Sequence, residues 1–527
     1  MGEKRKFQVS FLRENRSVTV EEGTTVLQAE IEGGLQPDAP CGGMGTCGKC
    51  KVHILNGSQP GIQKACCVKV TEDLTVDSSV REEGVAILEN GESRLVPAKP
   101  MEAEGLDNRY LAAFDVGTTT VVGYLLDGES GKQIAHASML NPQSQYGADV
   151  IMRCNYVLQN EKGKEALSHA IRTAMNQLLE RLAKDASIDK KQISQVSFVG
   201  NTCMHHLFLE LSPDSVVKAP YVPAMKEPVT AEAGEYGIEI HPRGRLLVLP
   251  NIGGFVGADT VGCLLATDFD HREKIALMID IGTNGELVLG NKERMVACST
   301  AAGPAFEGAK IHCGMRGAKG AIDHVWKENG ELRYSVIGKG EAKGICGSGL
   351  MDAVALLLKE EIVESSGRFY DREELETEFA RKHADRLTEV GGKPAFFLGG
   401  QVFLTQKDIR EVQLAKGAMA AGITLMCRYL GIQKEEIQEV LVAGAFGNYM
   451  DPKSACAIGL IPQVLLKRVR PVGNAAGEGA KLAVINREEF QHAASIYEKV
   501  DFLELAAEKD FQDVFVDELE FPDYEEE

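Results

Sequence analysis

Asp115-Val-Gly-Thr-Thr119 and Asp280-Ile-Gly-Thr-Asn284 repeat one pattern, and this pattern decides the fold that the sequence predicts. Each stretch follows a short apolar run, residues 110–114 and 275–279, as expected where a buried strand enters a tight turn. In such a turn the glycine lets a ligand approach the backbone, N–H and hydroxyl groups donate to phosphate oxygens, and the aspartate can face a hydrated Mg²⁺. Two copies predict a duplicated fold whose halves grip one nucleotide.

The nucleotide site predicted from these turns differs from a Walker-type loop. After the first turn, residues 121–126 return as an apolar strand, so the turn lies on a β-hairpin and not at the start of a helix. The Walker sequence Gly-x4-Gly-Lys-Ser/Thr is also absent from the chain. A later apolar strand, residues 440–443, ends in Gly444-Ala-Phe-Gly447, a predicted turn in which a flat base could lie against the backbone.

A cysteine-rich segment near the N-terminus predicts a metal cluster. Residues 7–20 form a predicted β-hairpin and residues 24–30 a short helix capped by threonine, after which a glycine-rich loop carries Cys41, Cys47 and Cys50. The spacing Cys-x5-Cys-x2-Cys is a variant of the plant-type pattern for a [2Fe–2S] cluster, which needs four thiolates. The glycines allow the N–H groups of the loop to point at the sulfur atoms.

Other uses of these cysteines fit the sequence less well. A structural zinc site usually pairs two Cys-x2-4-Cys knuckles, whereas this segment has one. A thioredoxin-like pair at Cys47 and Cys50 would leave Cys41 and Cys66 without a role. The fourth cluster ligand is Cys66 or Cys67 and not both, because neighbouring side chains on a strand point to opposite faces.

Length, charge and composition limit the class of protein. A chain of 527 residues with 44% hydrophobic and 25% charged residues is typical of a globular protein with several domains. The net charge of -20 argues against a nucleic-acid-binding protein, and no apolar run is long enough to predict a membrane-spanning helix. The 13 cysteines, an odd number in a large chain without a signal sequence, predict a reducing cytoplasm.

The sequence divides into three predicted parts. The cysteine-rich part covers residues 1–85, and a stretch rich in Gly, Glu, Pro and Ser without periodicity follows over residues 86–108. The paired turns lie in residues 109–527. We therefore expect a [2Fe–2S] domain, a linker and a nucleotide-binding domain with two similar halves, in that order.

The three glycine turns carry a resemblance to known proteins. Two Asp-x-Gly-Thr hairpins and a late strand ending in Gly-Ala-Phe-Gly resemble the first phosphate, second phosphate and adenosine motifs of the actin, sugar kinase and Hsp70 superfamily of ATPases. With an N-terminal [2Fe–2S] domain, Gly200-Asn-Thr202 and Gly344-Ile-Cys-Gly-Ser-Gly-Leu350, the chain resembles the reductive activators of corrinoid proteins. The resemblance implies an α/β fold class, with an α+β β-grasp ferredoxin domain and an actin-like ATPase domain of two RNase H-like halves with mixed sheets.

The resemblance also implies a function. Such an enzyme uses ATP to drive an electron from its [2Fe–2S] cluster to the cobalt of a corrinoid protein inactivated as Co(II), which restores the methyl-accepting Co(I) form. Asp115 and Asp280 would orient Mg²⁺ and the attacking water. Three further groups are implied by motif position: the cluster ligands Cys41, Cys47, Cys50 and Cys66, the phosphate-binding Gly117, Thr118, Thr119, Gly282, Thr283 and Asn284, and the adenine-bordering Gly444, Ala445 and Gly447.

The implied partners are a corrinoid protein and a low-potential electron donor, with a homodimer as a candidate assembly. Members of this family often carry an additional domain between the linker and the ATPase. Here Asp115 follows the linker almost at once, so we expect the partner to dock differently in detail.

Three other functions remain open from the sequence. An activator of a dehydratase or of another metalloenzyme would keep the fold, but such dehydratase activators typically hold a [4Fe–4S] cluster through cysteines of the ATPase part. A small-molecule kinase of the sugar kinase type needs a carboxylate base beside an acceptor hydroxyl, and the sequence identifies none. A redox-sensing module would use the cluster only to control association.

Overall fold

The computed structural model describes residues 5–12, 16–35, 37, 39, 43, 50–78, 91, 94–102, 106–282, 284–300, 302, 305–308 and 310–522. The predicted cluster ligands Cys41 and Cys47 and the predicted phosphate-binding residue Thr283 lie outside the described residues. Within the described residues, no helix has both the length and the apolar character needed to cross a membrane.

The N-terminal part is a five-stranded sheet with one helix packed against it. The elements are β1 (Lys6–Phe11), β2 (Arg16–Glu21), α1 (Val26–Glu32), β3 (Lys51–Ile54), β4 (Gly61–Lys64) and β5 (Leu74–Asp77). The strand order is β2-β1-β5-β3-β4, with β1 and β5 parallel and the other pairs antiparallel. Thr25 caps α1, because its Oγ1 accepts a hydrogen bond from Gln28 N at 3.1 Å, as the sequence predicts.

The first half of the ATPase region is a six-stranded mixed sheet with helices around it. Its elements are β6 (Tyr110–Val116), β7 (Thr120–Asp127), β8 (Gln133–Leu140), α2 (Val150–Gln159), α3 (Gly163–Asp185), β9 (Ile193–Gly200), α4 (Thr202–Leu209), α5 (Asp214–Val217), β10 (Val229–Glu232), β11 (Arg245–Val248) and α6 (Ala258–Ala266). The strand order is β10-β11-β9-β6-β7-β8. Strands β6, β7 and β8 form an antiparallel meander, and β9 and β11 add to it in parallel.

The second half repeats this arrangement and adds two smaller sheets. Its elements are β12 (Ala276–Ile281), β13 (Gly285–Gly290), β14 (Met295–Thr300), β15 (Ala321–Glu328), β16 (Glu331–Val336), β17 (Gly344–Ile345), α7 (Gly347–Lys359), α8 (Glu378–Lys382), β18 (Leu387–Val390), β19 (Lys393–Gly399), β20 (Val402–Thr405), α9 (Gln406–Leu430), β21 (Glu439–Ala443), α10 (Gly444–Tyr449), α11 (Pro452–Ala457), β22 (Val469–Gly473), α12 (Ala475–Ile485), α13 (Arg487–Lys499), β23 (Val500–Phe502) and α14 (Phe511–Asp517).

Five strands of the large sheet in the second half have the same order and directions as five strands of the sheet in the first half, and the sixth strand lies at a different edge in each. The order of the large sheet in the second half is β22-β21-β12-β13-β14-β23, and the smaller sheets are β16-β15-β17 and β18-β19-β20. Strands β12, β13 and β14 are again an antiparallel meander, to which β21 and β22 add in parallel beyond β12. The predicted duplication and the α/β class with mixed sheets are therefore confirmed.

Helices α6 and α12 lie between the two large sheets. One buried apolar cluster contains Leu111 of the first sheet and Met278 of the second sheet together with side chains of both helices. A Cβ on Gly479 would lie 2.1 Å from Gly262 O, so the two helices touch backbone to backbone. Glycine is needed at this crossing, and the close contact joins the halves at their centre.

Part of the predicted linker lies against the ATPase region. We call residues 91 and 94–102 the strap. Gly91 forms an antiparallel bridge with Gly473, and Lys99 pairs in parallel with Asn486. Lys99 N donates to Ile485 O at 2.9 Å, and Arg487 N donates to Lys99 O at 2.9 Å. Three strap side chains pack against the cluster between the sheets: Val96, Ala98 and Met101.

Candidate functional site

The first predicted phosphate turn joins β6 to β7 and is held by side chains from other elements. Gly117 N donates to Thr120 O at 2.9 Å, which closes the turn. Asn141 Nδ2 donates to Gly117 O at 2.8 Å, and Asn201 Nδ2 donates to Thr118 Oγ1 at 3.0 Å. These contacts fix the backbone and the threonine hydroxyl that the sequence assigns to a phosphate.

Arg153 of α2 is fully buried behind the same turn. Its Nη2 donates to Thr118 O at 2.6 Å, and its Nε donates to Gly147 O at 3.0 Å. Burial lowers the pKa of the guanidinium to about 10, so the group remains charged at neutral pH. Arg153, Arg316 and Thr119 line one cavity of about 10 Å³, with room for about one water molecule. Two cations beside the turn favour an anionic ligand there.

The second predicted phosphate turn joins β12 to β13. Gly282 N donates to Asn284 O at 2.9 Å. Asp280 on β12 lies directly opposite Glu286 on β13 in the antiparallel register, so both carboxylates lie on one face of the hairpin. Asp115 occupies the corresponding position near the end of β6.

Four carboxylates from the two halves are close enough to repel one another: Asp115, Asp259, Asp280 and Glu286. Burial raises the pKa of Asp115 to about 6, and burial with repulsion from Asp115 raises the pKa of Asp280 to about 6. Burial with repulsion from Asp280 raises the pKa of Asp259 to about 8. Burial and both neighbours hold the pKa of Glu286 well above its usual range. Such a cluster fits Mg²⁺, because a divalent cation with oxygen ligands relieves the repulsion.

Asp259 and Glu286 are absent from the residues predicted from the sequence. Asp259 lies in the first turn of α6, directly after a glycine-rich loop. A Cβ on Gly257 would lie 2.4 Å from Thr202 N, so this loop needs glycine to reach the start of α4. The sequence signal that could have indicated Asp259 is an acidic residue close to a tightly packed glycine. The signal for Glu286 is its position opposite Asp280 on the same face of the hairpin.

Asn474, the N-cap of α12, is a further polar residue at the cleft that the sequence analysis misses. Its Nδ2 donates to Asp115 Oδ2 at 2.8 Å. This hydrogen bond lowers the pKa of Asp115 against the larger effect of burial, which raises it. The residue comes from the end of the chain, and only the fold brings it to the first turn.

The predicted turn at Gly444 to Gly447 is the start of a short helix, α10. Gly444 has a φ of +85°, and a Cβ on it would lie 2.6 Å from Asp280 Oδ1. This glycine therefore lets α10 begin directly beside the second phosphate turn. A Cβ on Gly447 would lie 2.4 Å from Val442 Cγ1, so Gly447 lets α10 pack on β21. The adenine contacts of Gly444, Ala445 and Gly447 stay predictions.

The N-terminal sheet brings two of the predicted cluster ligands together. The Sγ atoms of Cys50 and Cys66 are 3.3 Å apart, and Cys50 is buried. Burial and then the neighbouring Cys50 raise the pKa of the Cys66 thiol to about 12, so two thiolates there need a cation such as iron. Cys67 is exposed, with its Sγ 3.7 Å from that of Cys66. This arrangement fits an iron–sulfur cluster and favours Cys66 over Cys67.

Comparisons with known proteins extend over nearly the whole chain. Residues 10–80 match the model of the 2Fe-2S iron-sulfur cluster binding domain, residues 110–272 match the RACo middle region, and residues 274–527 match the C-terminal domain of RACo, the ASKHA domain. The corrinoid activation enzyme RamQ of Eubacterium limosum is 39% identical over 423 residues, which cover 79% of this chain and 70% of RamQ. This chain belongs to the corrinoid activation enzyme family.

Two further relatives agree with this family of activators. The [Co(II) methylated amine-specific corrinoid protein] reductase of Methanosarcina barkeri is 25% identical over 445 residues, 78% of this chain and 77% of the reductase. A solved structure of a reductive activator for a corrinoid, iron-sulfur protein is 29% identical, covers 98% of each chain and has a TM-score of 0.71.

The comparisons confirm the resemblance inferred from the sequence. They also confirm that this corrinoid activation enzyme has a [2Fe–2S] cluster and ATP with Mg²⁺ as its cofactors. The assignment of single residues to the cluster and to the nucleotide stays a prediction.

Proposed function

We propose that this corrinoid activation enzyme uses ATP hydrolysis to drive one electron from its [2Fe–2S] cluster to the Co(II) form of a corrinoid protein, which restores Co(I). The observation that carries the proposal is that one chain of this family contains both features: the neighbouring Cys50 and Cys66 thiols, and two phosphate turns on opposite halves. A kinase needs only the turns, and a ferredoxin needs only the thiols.

The cleft supplies what ATP hydrolysis requires. Mg²⁺, when bound, would offset part of the negative charge of the carboxylates and the triphosphate and would polarise the terminal phosphate. The N–H groups and hydroxyls of the two turns bind phosphate oxygens, and the Arg153 guanidinium adds positive charge behind Thr118. Asp115 and Asp280, from opposite halves, orient the attacking water between them.

The position of the two turns on opposite halves links nucleotide binding to the shape of the protein. A triphosphate held by both turns draws the halves together about the central contact of Gly262 with Gly479. Such closure drives reduction only if the ATP form binds the corrinoid protein in a geometry that favours Co(I). ATP therefore acts by changing how the partner is held.

The cysteine residues would hold the group that carries the electron. Cys50 and Cys66, together with Cys41 and Cys47, are the proposed ligands. The [2Fe–2S] cluster, when bound, supplies one electron at low potential. The burial of Cys50 excludes water from one side of the site, which affects the potential of a bound cluster.

Direct observation of Co(I) tests this function. Purified protein is mixed with a Co(II) corrinoid protein, a low-potential reductant and Mg²⁺ with ATP, and the absorption of Co(I) is followed. We expect Co(I) to form only with ATP and to be lost in Asp280→Asn and in Cys50→Ala. Equal formation of Co(I) without ATP would refute the proposal, and a phosphorylated small molecule as product would favour the kinase alternative.

The electrons come from a separate low-potential donor, since the cluster has to be reduced again after each transfer. The protein works as a homodimer in the reducing cytoplasm indicated by its 13 cysteines. Light scattering on the purified protein checks the dimer, because a monomeric mass would contradict it.

A further inference from the structure

The side-chain amide of Asn474 is fully engaged between α12 and the first phosphate turn. Its Oδ1 accepts a hydrogen bond from Gly477 N at 2.8 Å, which caps the helix. Its Nδ2 donates to Asp115 Oδ2 at 2.8 Å and to Tyr124 Oη at 3.2 Å. The cap and the Asp115 carboxylate together fix the orientation of the amide. A rotated amide would place its oxygen against the carboxylate and its N–H groups against Gly477 N. Asp115 is therefore held by a donor that belongs to the other half of the ATPase.

The same end of α12 also holds the strap. Gly91 N donates to Glu478 Oε1 at 3.0 Å, one helical turn after Asn474. Glu478 is buried and forms an ion pair with Lys481 at 2.6 Å, so its carboxylate is fixed. A Cβ on Gly91 would lie 2.8 Å from the carbonyl carbon and oxygen of Asn474. The strap backbone thus lies directly on the residue that holds Asp115.

We propose that Asn474 is a positioning residue for ATP hydrolysis. We also propose that the first turn of α12 transmits the difference between the ATP-bound and ADP-bound states from Asp115 to the strap at Gly91. The inference rests on the proposed function, specifically on ATP hydrolysis in which Asp115 and Asp280 orient the attacking water. A carboxylate that turns toward bound Mg²⁺ and water pulls on the Asn474 amide. Because that amide caps α12, the helix end and the bridge between Gly473 and Gly91 move with it. The strap, which follows the cluster-binding part in sequence, thereby responds to the nucleotide.

Steady-state ATP hydrolysis tests the positioning role. Asn474→Ser keeps a cap acceptor but loses the donor to Asp115, and Asn474→Asp keeps the cap and places a carboxylate against Asp115. We expect both variants to lower kcat by about 10- to 100-fold with a change of less than about twofold in KM for ATP. Asn486→Ser is the matched control, since Asn486 caps α13 and donates to Pro97 O at 3.1 Å, remote from Asp115. Its kcat should equal that of the wild type.

Hydrogen exchange of the strap tests the transmission. Exchange at Gly91 N–H is compared by mass spectrometry for the full chain with ADP and with a non-hydrolysable ATP analogue, both with Mg²⁺. We expect the two states to differ in the wild type and in Asn486→Ser, and to be equal in Asn474→Ser. Gly91→Ala should displace the strap and lose this nucleotide response at position 91. It supplies a second test if the Asn474 variants do not fold.

The results separate the two proposals. A wild-type kcat in Asn474→Ser, or an unchanged nucleotide response of the N–H at position 91 in Asn474→Ser or in Gly91→Ala, would overturn the inference alone. Failure of the wild-type protein to hydrolyse ATP would overturn the proposed function, and with it the inference that rests on it.

Discussion

Glu286 lies directly across the hairpin from Asp280, so the second phosphate turn presents two carboxylates on one face. Repulsion from Asp259 and Asp280 raises the cost of ionising Glu286, and repulsion from Asp115 raises the cost of ionising Asp280. We therefore expect Mg²⁺ to bind tightly beside this turn and its binding to depend on Glu286.

Glu286→Gln should therefore lower the affinity for the Mg²⁺ that supports ATP hydrolysis. One negative charge less in the cleft lowers the attraction for the cation, and we expect the Mg²⁺ concentration for half-maximal activity to rise about tenfold. A Mg²⁺ titration at saturating ATP measures this. Glu293→Gln is the control, since Glu293 lies exposed after β13. Equal Mg²⁺ curves for wild type and Glu286→Gln would show that Glu286 does not face the metal.

Substitution of the paired cysteines distinguishes the fourth cluster ligand. Cys66 Sγ lies beside Cys50 Sγ, whereas Cys67 is exposed on the outer side. Cys66→Ser should lose most of the iron content and the visible absorption of the [2Fe–2S] cluster, and Cys67→Ser should keep both. The reverse pattern would assign the fourth ligand to Cys67. If both variants keep their iron and absorption, neither Cys66 nor Cys67 is a cluster ligand.

The local features of the site could be predicted from the sequence, but the contacts between distant segments could not. The two phosphate turns follow from short apolar runs before Asp-x-Gly, a pattern contained in a few residues. The contact of Asn474 with Asp115 joins residues 359 positions apart, and no local pattern records it. The sequence predicts a turn at Gly444, but this glycine is the first residue of α10, where it adopts a positive φ without the steric cost of a Cβ.

The strap shows a second reason for the limit of sequence analysis. Its composition lacks periodicity, which favours a linker, yet its backbone forms hydrogen bonds with the ends of α12 and α13. Backbone pairing of a single extended segment needs no repeating side-chain pattern. Residue types alone therefore do not distinguish a docked strap from a free tether.

A buried ion pair near the strap makes stability depend on pH. His492 Nε2 lies 2.9 Å and Lys499 Nζ lies 2.7 Å from Asp270 Oδ2. The hydrogen bonds to Asp270 and then to Glu489 raise the pKa of His492 to about 9. Because this folded-state pKa exceeds the usual 6.5, the stabilisation is fully present below about pH 6.5 and is lost as the pH rises through about 9.

His492→Gln should therefore destabilise the protein mainly at low pH. We expect a loss of roughly 2 kcal/mol at pH 6, which corresponds to a charge-assisted hydrogen bond, and a smaller difference from wild type above pH 9. Thermal unfolding between pH 6 and pH 9.5 measures it. His169→Gln on the exposed face of α3 should show no such dependence. A difference that stays constant with pH would mean that His492 is neutral in the folded protein.

Gly444 and Gly431 form a matched pair that separates backbone strain from damage to the site. Both have a positive φ, +85° and +72°, which alanine adopts at a cost of about 1 kcal/mol. A Cβ on Gly444 would also lie 2.6 Å from Asp280 Oδ1, whereas no atom of the described residues lies within 4 Å of a Cβ on Gly431.

Alanine at the two positions should thus have different effects on activity. Gly431→Ala should lower the free energy of unfolding by about 1 kcal/mol and leave ATP hydrolysis unchanged. Gly444→Ala should lower stability at least as much and reduce kcat for ATP hydrolysis by about tenfold or more, because the methyl group displaces the Asp280 carboxylate. Denaturant unfolding and steady-state hydrolysis measure both effects. Equal activity in the two variants would show that Asp280 tolerates displacement and does not orient the reacting groups.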